Sequence, residues 1–142
     1  MEKILIYTFR TFPFKDDLPY KNFKVFGKIN DDIKIFCQEI ITTRPDRIMG
    51  VAKSTGKYST IEKYSINQFN QNKKILSDAP EYYELDVPVN LKEYFHVRTK
   101  PTKSFCNLSI FKIKRFLDEN KLDIPFTFIH VLQKDLKRLP SF

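Results

Sequence analysis

The sequence is poor in the side chains that build reactive sites, with two cysteines and two histidines among 142 residues. Its three glycines are few for a protein built on tight loops. No apolar run approaches the roughly 20 residues of a membrane-spanning helix. The first residues lead directly into an apolar, strand-like segment rather than a signal peptide, so we expect a cytoplasmic protein without a membrane partner.

The composition is that of a globular protein, in which 42% of residues are hydrophobic, 30% are charged and 14 are phenylalanine. A chain of this length suits one domain, which we place at residues 1–142. The formal net charge of +8 raises the question of a nucleic-acid partner. The basic residues are scattered and no DNA- or RNA-binding signature is present, so solvated lysines on helix faces explain the charge better.

Alternating strand-like and helix-like segments predict an α/β fold. The clearest helix follows Cys106 and ends near Asn120, because its apolar residues recur at helical spacing. An earlier helix is predicted at 31–43, with Asn30 or Asp31 as its cap. The other predicted segments are strands at 3–8, 47–52, 82–87 and 125–131, an aromatic loop at 8–24, a polar stretch at 70–80, and segments of undecided type at 60–68 and 91–97.

The two cysteines lie in different settings. Cys37 shares the apolar face of the first predicted helix with Ile33, Phe36 and Ile40, where it is most simply a small buried hydrophobe. Cys106 begins the later helix, where the positive end of the helix dipole favours a thiolate and free backbone N–H groups could hold an oxyanion. A disulfide between the two is not expected in a reducing compartment.

His130 lies at the end of the last apolar strand, where α/β proteins tend to hold functional groups. An imidazole can activate a thiol, and an acidic side chain can fix the tautomer of that imidazole. Cys106, His130 and Glu62 are therefore candidates for nucleophile, general base and orienting acid. Each also has a structural explanation. Cys106 would be a buried residue at a helix start, His130 a hydrogen-bonded histidine at a strand edge, and Glu62 a solvated charge beside Lys63.

Four short segments resemble, in the same order, parts of the pyroglutamyl peptidases, also called pyrrolidone carboxyl peptidases. Residues 5–12 resemble the family's first strand and the loop after it, and residues 61–67 resemble its catalytic glutamate motif. The pair Cys106-Asn107 before a helix resembles its catalytic Cys-Asn pair, and residues 128–131 resemble the segment that holds its catalytic histidine. These enzymes are cytoplasmic cysteine peptidases that remove an N-terminal pyroglutamate from peptides.

The resemblance implies a three-layer α/β/α fold with a mostly parallel mixed sheet, reduced relative to the family. It also implies a triad of Cys106, His130 and Glu62 that acts on N-terminally blocked peptides. Phe9 and Phe12 would hold the flat pyroglutamyl ring between apolar faces. No cofactor or metal is expected. Because family members often self-associate, a homo-oligomer is expected.

The sequence departs from the family mainly in the loops that shape the pocket. Residues 13–15 replace a glycine-rich loop, and residues 101–103 replace a run of small residues before the cysteine. A glycine-rich turn after the second strand is reduced to Gly50 and a Gly-Lys pair, which makes Lys57 and Phe105 the candidates for the oxyanion loop. A non-catalytic descendant that binds a peptide end, small ligand or partner chain therefore remains a second interpretation, and a basic nucleic-acid-binding domain a third.

Overall fold

The computed structural model describes residues 2–70, 73–102 and 104–140. The predicted stretches 70–80 and 101–103 include Gln71, Asn72 and Lys103, which lie outside the described residues. The strands are β1 (Ile4–Phe9), β2 (Lys24–Phe26), β3 (Arg47–Lys53), β4 (Thr60–Glu62), β5 (Tyr64–Ile66), β6 (Tyr82–Glu84), β7 (His96–Arg98) and β8 (Phe126–Val131). The α-helices are α1 (Ile29–Thr43) and α2 (Phe105–Glu119), and the 3₁₀ helices are η1 (Lys15–Asp17), η2 (Val89–Leu91) and η3 (Gln133–Arg138).

Six strands form one sheet in the order β2-β1-β3-β8-β4-β7. Strands β4 and β8 are antiparallel, whereas the other neighbouring pairs are parallel. Strands β5 and β6 form a separate antiparallel pair. The predicted α/β fold class is confirmed, since the mostly parallel sheet is flanked by helices.

The two faces of the sheet are covered differently. Both α-helices pack on one face, where α1 buries the apolar stripe predicted from its sequence. The other face is covered by short 3₁₀ helices and by aromatic side chains such as Phe12 and Phe95. None of the helices within the described residues is long and apolar enough to cross a membrane.

The alternation of side chains along the strands directs the polar residues of β4 and β8 to the helical face. In β8, Phe126 and Phe128 pack towards the helices, while Ile129 and Val131 pack on the opposite face. His130 therefore points to the helical face, because side chains alternate with a period of two. Its partner in the antiparallel register is Thr60 of β4, and the same alternation puts Glu62 on that face.

Several predicted boundaries were wrong because local contacts override propensity. Helix α1 is capped by Lys28 rather than by Asn30 or Asp31. The carboxylate of Asp32 accepts hydrogen bonds from the N–H groups of Gly27 and Lys28, at 2.7 and 3.0 Å, which secures the helix start. The predicted loop at 8–24 contains η1 and leads into the unpredicted strand β2. The undecided segment 60–68 contains β4 and β5, and 91–97 contains the end of η2 and β7.

Gly50 lies inside β3, as the predicted strand at 47–52 implies, and not in the turn that follows this strand. Its register neighbours are Tyr7 on β1 and Phe128 on β8. A Cβ at Gly50 would lie 2.5 Å from the Phe128 ring and 2.8 Å from the Tyr7 ring. The glycine is therefore required by the close approach of two aromatic rings rather than by turn geometry.

Candidate active site

The fold brings together the three residues that the sequence indicated as a triad. Cys106 lies in the first turn of α2, His130 in β8, and Glu62 at the end of β4. The Nδ1 atom of His130 is 3.1 Å from Oε1 of Glu62. Cys106 and His130 line the same small cavity.

Glu62 is a carboxylate buried at 2% exposure. Neither of its oxygens accepts a well-directed hydrogen bond from the described residues, and the ring nitrogen of His130 is likewise not aimed at the carboxylate. The contact is thus mainly an attraction between charges. Arg98, on the neighbouring strand β7, adds a more distant positive charge, with its Nε 4.0 Å from Oε1. A buried carboxylate with so few donors favours a protonated imidazole beside it.

The pKa of His130 is raised from 6.5 to about 9. Burial by itself would lower this pKa, but the nearby Cys106 side chain and the negative charge of the Glu62 carboxylate outweigh it. The imidazolium form is therefore retained at neutral pH and is lost only as the pH rises through about 9. Such a group can donate a proton to a leaving amine at neutral pH.

The start of α2 presents backbone donors beside Cys106. Ser104 occupies the N-cap position, but its side chain makes no capping hydrogen bond. Its hydroxyl is instead 2.8 Å from that of Thr102. Because the first N–H groups of a helix have no intrahelical partner, the first-turn N–H groups are positioned to stabilise an oxyanion near the Cys106 sulfur.

The backbone at Cys106 is fixed by a hydroxyl chain that sequence reasoning missed. The hydroxyl of Ser109 donates to the carbonyl oxygen of Cys106 at 2.7 Å. The hydroxyl of Tyr7 lies 2.8 Å from that of Ser109, so it is placed to donate to it. Both side chains are fully buried. Burial accordingly raises the pKa of Tyr7 well above its usual value, so this phenol remains a neutral donor.

Asn107 anchors the helix start to β5. Its Oδ1 accepts hydrogen bonds from the hydroxyl of Ser65 at 2.8 Å and from the N–H of Ile66 at 2.9 Å. Its Nδ2 donates to the carbonyl oxygens of Ile66 and Gln68, at 2.8 and 3.2 Å. The asparagine beside the cysteine therefore holds the nucleophile's helix against the segment that follows Glu62.

A larger cavity of about 710 Å³ opens beside Cys106 and is lined by both Phe9 and Phe12. The two rings belong to the cores on opposite faces of the sheet. They are linked by a tight turn in which the N–H of Phe12 donates to the carbonyl oxygen of Phe9 at 2.9 Å. The ammonium of Lys15 donates to two carbonyl oxygens of this segment, those of Arg10 and Phe12, at 2.7 and 2.6 Å. Lys15, one of the residues that replace the family's glycine-rich loop, therefore stabilises the turn between Phe9 and Phe12.

The two oxyanion-loop candidates lie on different sides of Cys106. Phe105 lines the larger cavity and is 57% exposed, with its ring centroid 5.2 Å from that of Phe69. Lys57 lines a smaller cavity of about 370 Å³ together with Cys106 and His130. No cluster of potential metal ligands is found in the described parts of the chain.

The second cysteine is separate from this site. Cys37 is a free, buried thiol on α1, as its helical pattern predicted. Burial raises its pKa to about 11, so Cys37 is a poor nucleophile at neutral pH. Cys106 is also free but only half-buried.

No family model matches the sequence, and no curated protein matches it. The structure, in contrast, is similar to solved structures of one kind of enzyme. The pyrrolidone carboxyl peptidase from Thermococcus litoralis superposes with a TM-score of 0.71 and 20% identity, over 92% of this chain and 76% of that one. The corresponding enzyme from Pyrococcus furiosus gives a TM-score of 0.65 and 20% identity, over 91% and 80% of the two chains.

Pyroglutamyl peptidase I from Bacillus amyloliquefaciens gives a TM-score of 0.67 and 16% identity, over 92% of this chain and 82% of that one. At these low sequence identities, the structural similarity establishes the fold but not the activity. The fold that the four sequence segments indicated is therefore confirmed by whole-chain similarity. The protein has the fold of the pyrrolidone carboxyl peptidases.

Proposed function

We propose that the protein is a cysteine peptidase that removes an N-terminal pyroglutamyl group from peptides. The observation that carries this proposal is the convergence of Cys106, His130 and Glu62 beside an apolar cavity at the start of a helix. Cysteine, histidine and a carboxylate in this order form a nucleophile, a proton carrier and an orienting charge. The similarity of the fold to peptidases of this specificity supports the same conclusion.

In the proposed reaction the thiol proton of Cys106 has passed to His130, which is the imidazolium beside the Glu62 carboxylate at neutral pH. The sulfur forms a bond to the carbonyl carbon of the pyroglutamyl group, and the carbonyl oxygen takes up the electron pair. First-turn N–H groups of α2 stabilise that oxyanion. The intermediate collapses, the carbon–nitrogen bond breaks, and His130 protonates the leaving amine. Water, deprotonated by His130, then hydrolyses the thioester to pyroglutamate and free thiol.

The larger cavity suits the pyroglutamyl ring. The lactam is small and flat, and it carries no charge, so apolar walls contributed by Phe9 and Phe12 favour its burial. Phe105 and Lys57 are proposed to flank the reacting carbonyl from the two sides of Cys106. The bracing of the Phe9–Phe12 turn by Lys15 supports this arrangement, because catalysis needs a pocket with a fixed shape.

The proposal is tested with pyroglutamyl-aminomethylcoumarin and, as a matched control, the prolyl compound, which has the same ring without the lactam carbonyl. We expect hydrolysis of the pyroglutamyl compound only. Iodoacetamide should abolish it, with mass spectrometry locating the label on Cys106 rather than on Cys37. No hydrolysis by the parent protein, or full activity after Cys106 is labelled, would contradict the peptidase. If Cys106 also reacts no faster than a model thiol, the non-catalytic binding protein is favoured.

We further propose a cytoplasmic location and self-association. Large apolar side chains are exposed on the monomer, among them Ile35 at 62% and Val89 at 79%. Burial of such side chains favours an interface between copies. Light scattering should give a mass that is a multiple of 17.0 kDa, and a monomer at high protein concentration would contradict self-association.

A further inference from the structure

The smaller cavity beside Cys106 is lined by positive charge. Lys53, Lys57 and Arg98 all line it, together with Cys106 and His130. Among the described residues, no aspartate or glutamate belongs to its lining. Three cations around a space of about 370 Å³ repel one another, and a bound anion would relieve this repulsion.

These cations have little compensation from the protein. Within residues 2–70, 73–102 and 104–140, neither Lys53 nor Lys57 forms an ion pair or a side-chain hydrogen bond. Arg98 approaches Glu62 only to 4.0 Å, and its Nε donates to the carbonyl oxygen of Lys100 at 2.9 Å. All three basic side chains are exposed, so they are accessible to a ligand in the cavity.

Cys106 lies between two cavities of different character. The larger one carries the aromatic walls that suit an uncharged acyl group, together with Arg10 and Lys53. Lys53 also lines the smaller cavity, where Lys57 and Arg98 join it. If the acyl group occupies the larger cavity, the amine that leaves must extend into the smaller one. The chemistry of the smaller cavity therefore determines which leaving groups are preferred.

We infer that the leaving side of the substrate carries a carboxylate, which Lys53, Lys57 and Arg98 bind. This inference rests on the proposed function, since it names the preferred substrates of that same site. Two sources supply the carboxylate: an aspartate or glutamate that follows the pyroglutamyl residue, or the free α-carboxylate of a pyroglutamyl dipeptide.

Matched peptides separate these sources. Pyroglutamyl-Glu-amide is compared with pyroglutamyl-Gln-amide, and pyroglutamyl-Ala acid with pyroglutamyl-Ala-amide. We expect kcat/KM to be about five- to tenfold higher for the charged member of at least one pair. The preference should decrease in a Lys53→Gln/Lys57→Gln variant and at high salt. Equal kcat/KM values within both pairs would overturn the inference.

A second measurement does not depend on hydrolysis. The ratio of the alkylation rates of Cys106 by iodoacetate and by iodoacetamide reports how strongly the site attracts a carboxylate. We expect this ratio to exceed that of glutathione and to fall several-fold in the Lys53→Gln/Lys57→Gln variant. The Lys34→Gln/Lys121→Gln variant, with the same change in net charge at exposed sites on α1 and beyond the C-terminal end of α2, should keep the parent ratio.

The two measurements distinguish the possible failures. A protein that hydrolyses none of the peptides but keeps a lysine-dependent preference for iodoacetate contradicts the peptidase and supports the carboxylate site. A protein that hydrolyses both members of each pair equally, with an alkylation ratio unchanged by the Lys53→Gln/Lys57→Gln variant, supports the peptidase and overturns the carboxylate site.

Discussion

Replacing the Glu62 carboxylate by a neutral amide in a Glu62→Gln variant is expected to lower kcat for a pyroglutamyl amide by about 10³- to 10⁴-fold. The carboxylate lies 3.1 Å from Nδ1 of His130 and stabilises the imidazolium that forms when the thiol loses its proton. An amide of the same shape has no charge, and its NH₂ group could donate to Nδ1 and hold the wrong tautomer. The loss is therefore expected in kcat more than in KM.

The same variant should shift the pH dependence towards lower pH. In the parent protein the pKa of His130 is raised to about 9, so the imidazolium needed to protonate the leaving amine is present at neutral pH. Activity should decline as the pH rises through about 9. Without the Glu62 charge this decline should begin at a lower pH. The midpoint belongs to the coupled Cys106–His130 pair, which is why the direction of the shift is the prediction.

Two measurements check this prediction. The pH profile of kcat gives the position of the alkaline decline, and proton NMR of the imidazole of His130 gives its titration without any need for activity. Glu84→Gln is the matched control, because Glu84 is 63% exposed and pairs with Lys63 at 3.2 Å. The control should keep parent kinetics within about twofold. A Glu62→Gln variant with parent kcat and an unchanged His130 titration would show that the carboxylate has no role.

The longer elements of the fold could be predicted from the sequence because their apolar periodicity is sustained. The stripe of α2 and the run that forms β8 are long enough to show their period. Strands β4, β5 and β7 have three residues each, which is too few for a period to be read. Their strand conformation depends on distant partners, as the pairing of β4 with both β7 and β8 shows.

The site was predictable to the extent that its chemistry requires rare residue types. With two cysteines and two histidines, few catalytic Cys–His pairs are possible. The position of Cys106 at a helix start and of His130 at the end of a strand favours this pair. The supporting hydrogen bonds could not be predicted in this way. Tyr7 and Ser109 are 102 positions apart, and a tyrosine in an apolar strand indicates only burial. Lys15 binds backbone carbonyl oxygens. Because every residue has such an oxygen, the sequence does not indicate which ones a lysine will bind.

A Gly50→Ala variant is expected to lose about 2 to 3 kcal/mol of unfolding free energy. The added Cβ would lie 2.5 Å from Phe128 and 2.8 Å from Tyr7. Neither ring can move easily, because both are fully buried and each contacts further rings. A loss of this size is a large part of the stability of a typical domain. Because Tyr7 also supports Ser109 and hence Cys106, activity should fall in the folded fraction as well.

Gly56→Ala provides the matched control for this prediction. A Cβ at Gly56 meets nothing within 4 Å, and its φ is not positive. Its unfolding free energy should therefore lie between the parent value and a gain of about 1 kcal/mol. Urea denaturation followed by circular dichroism compares the two variants. Equal stabilities of Gly50→Ala and Gly56→Ala would contradict the close packing of the rings around Gly50.

A double variant separates this steric explanation from a general intolerance of β3. If the Phe128 ring is the obstacle, Gly50→Ala combined with Phe128→Leu should lose less stability than the sum of the two single variants. We expect a coupling of about 1 kcal/mol or more, because the two positions are in direct contact. Additive losses would place the strain elsewhere in β3. A positive coupling would identify contact between the added Cβ and the Phe128 ring as the source of the lost stability.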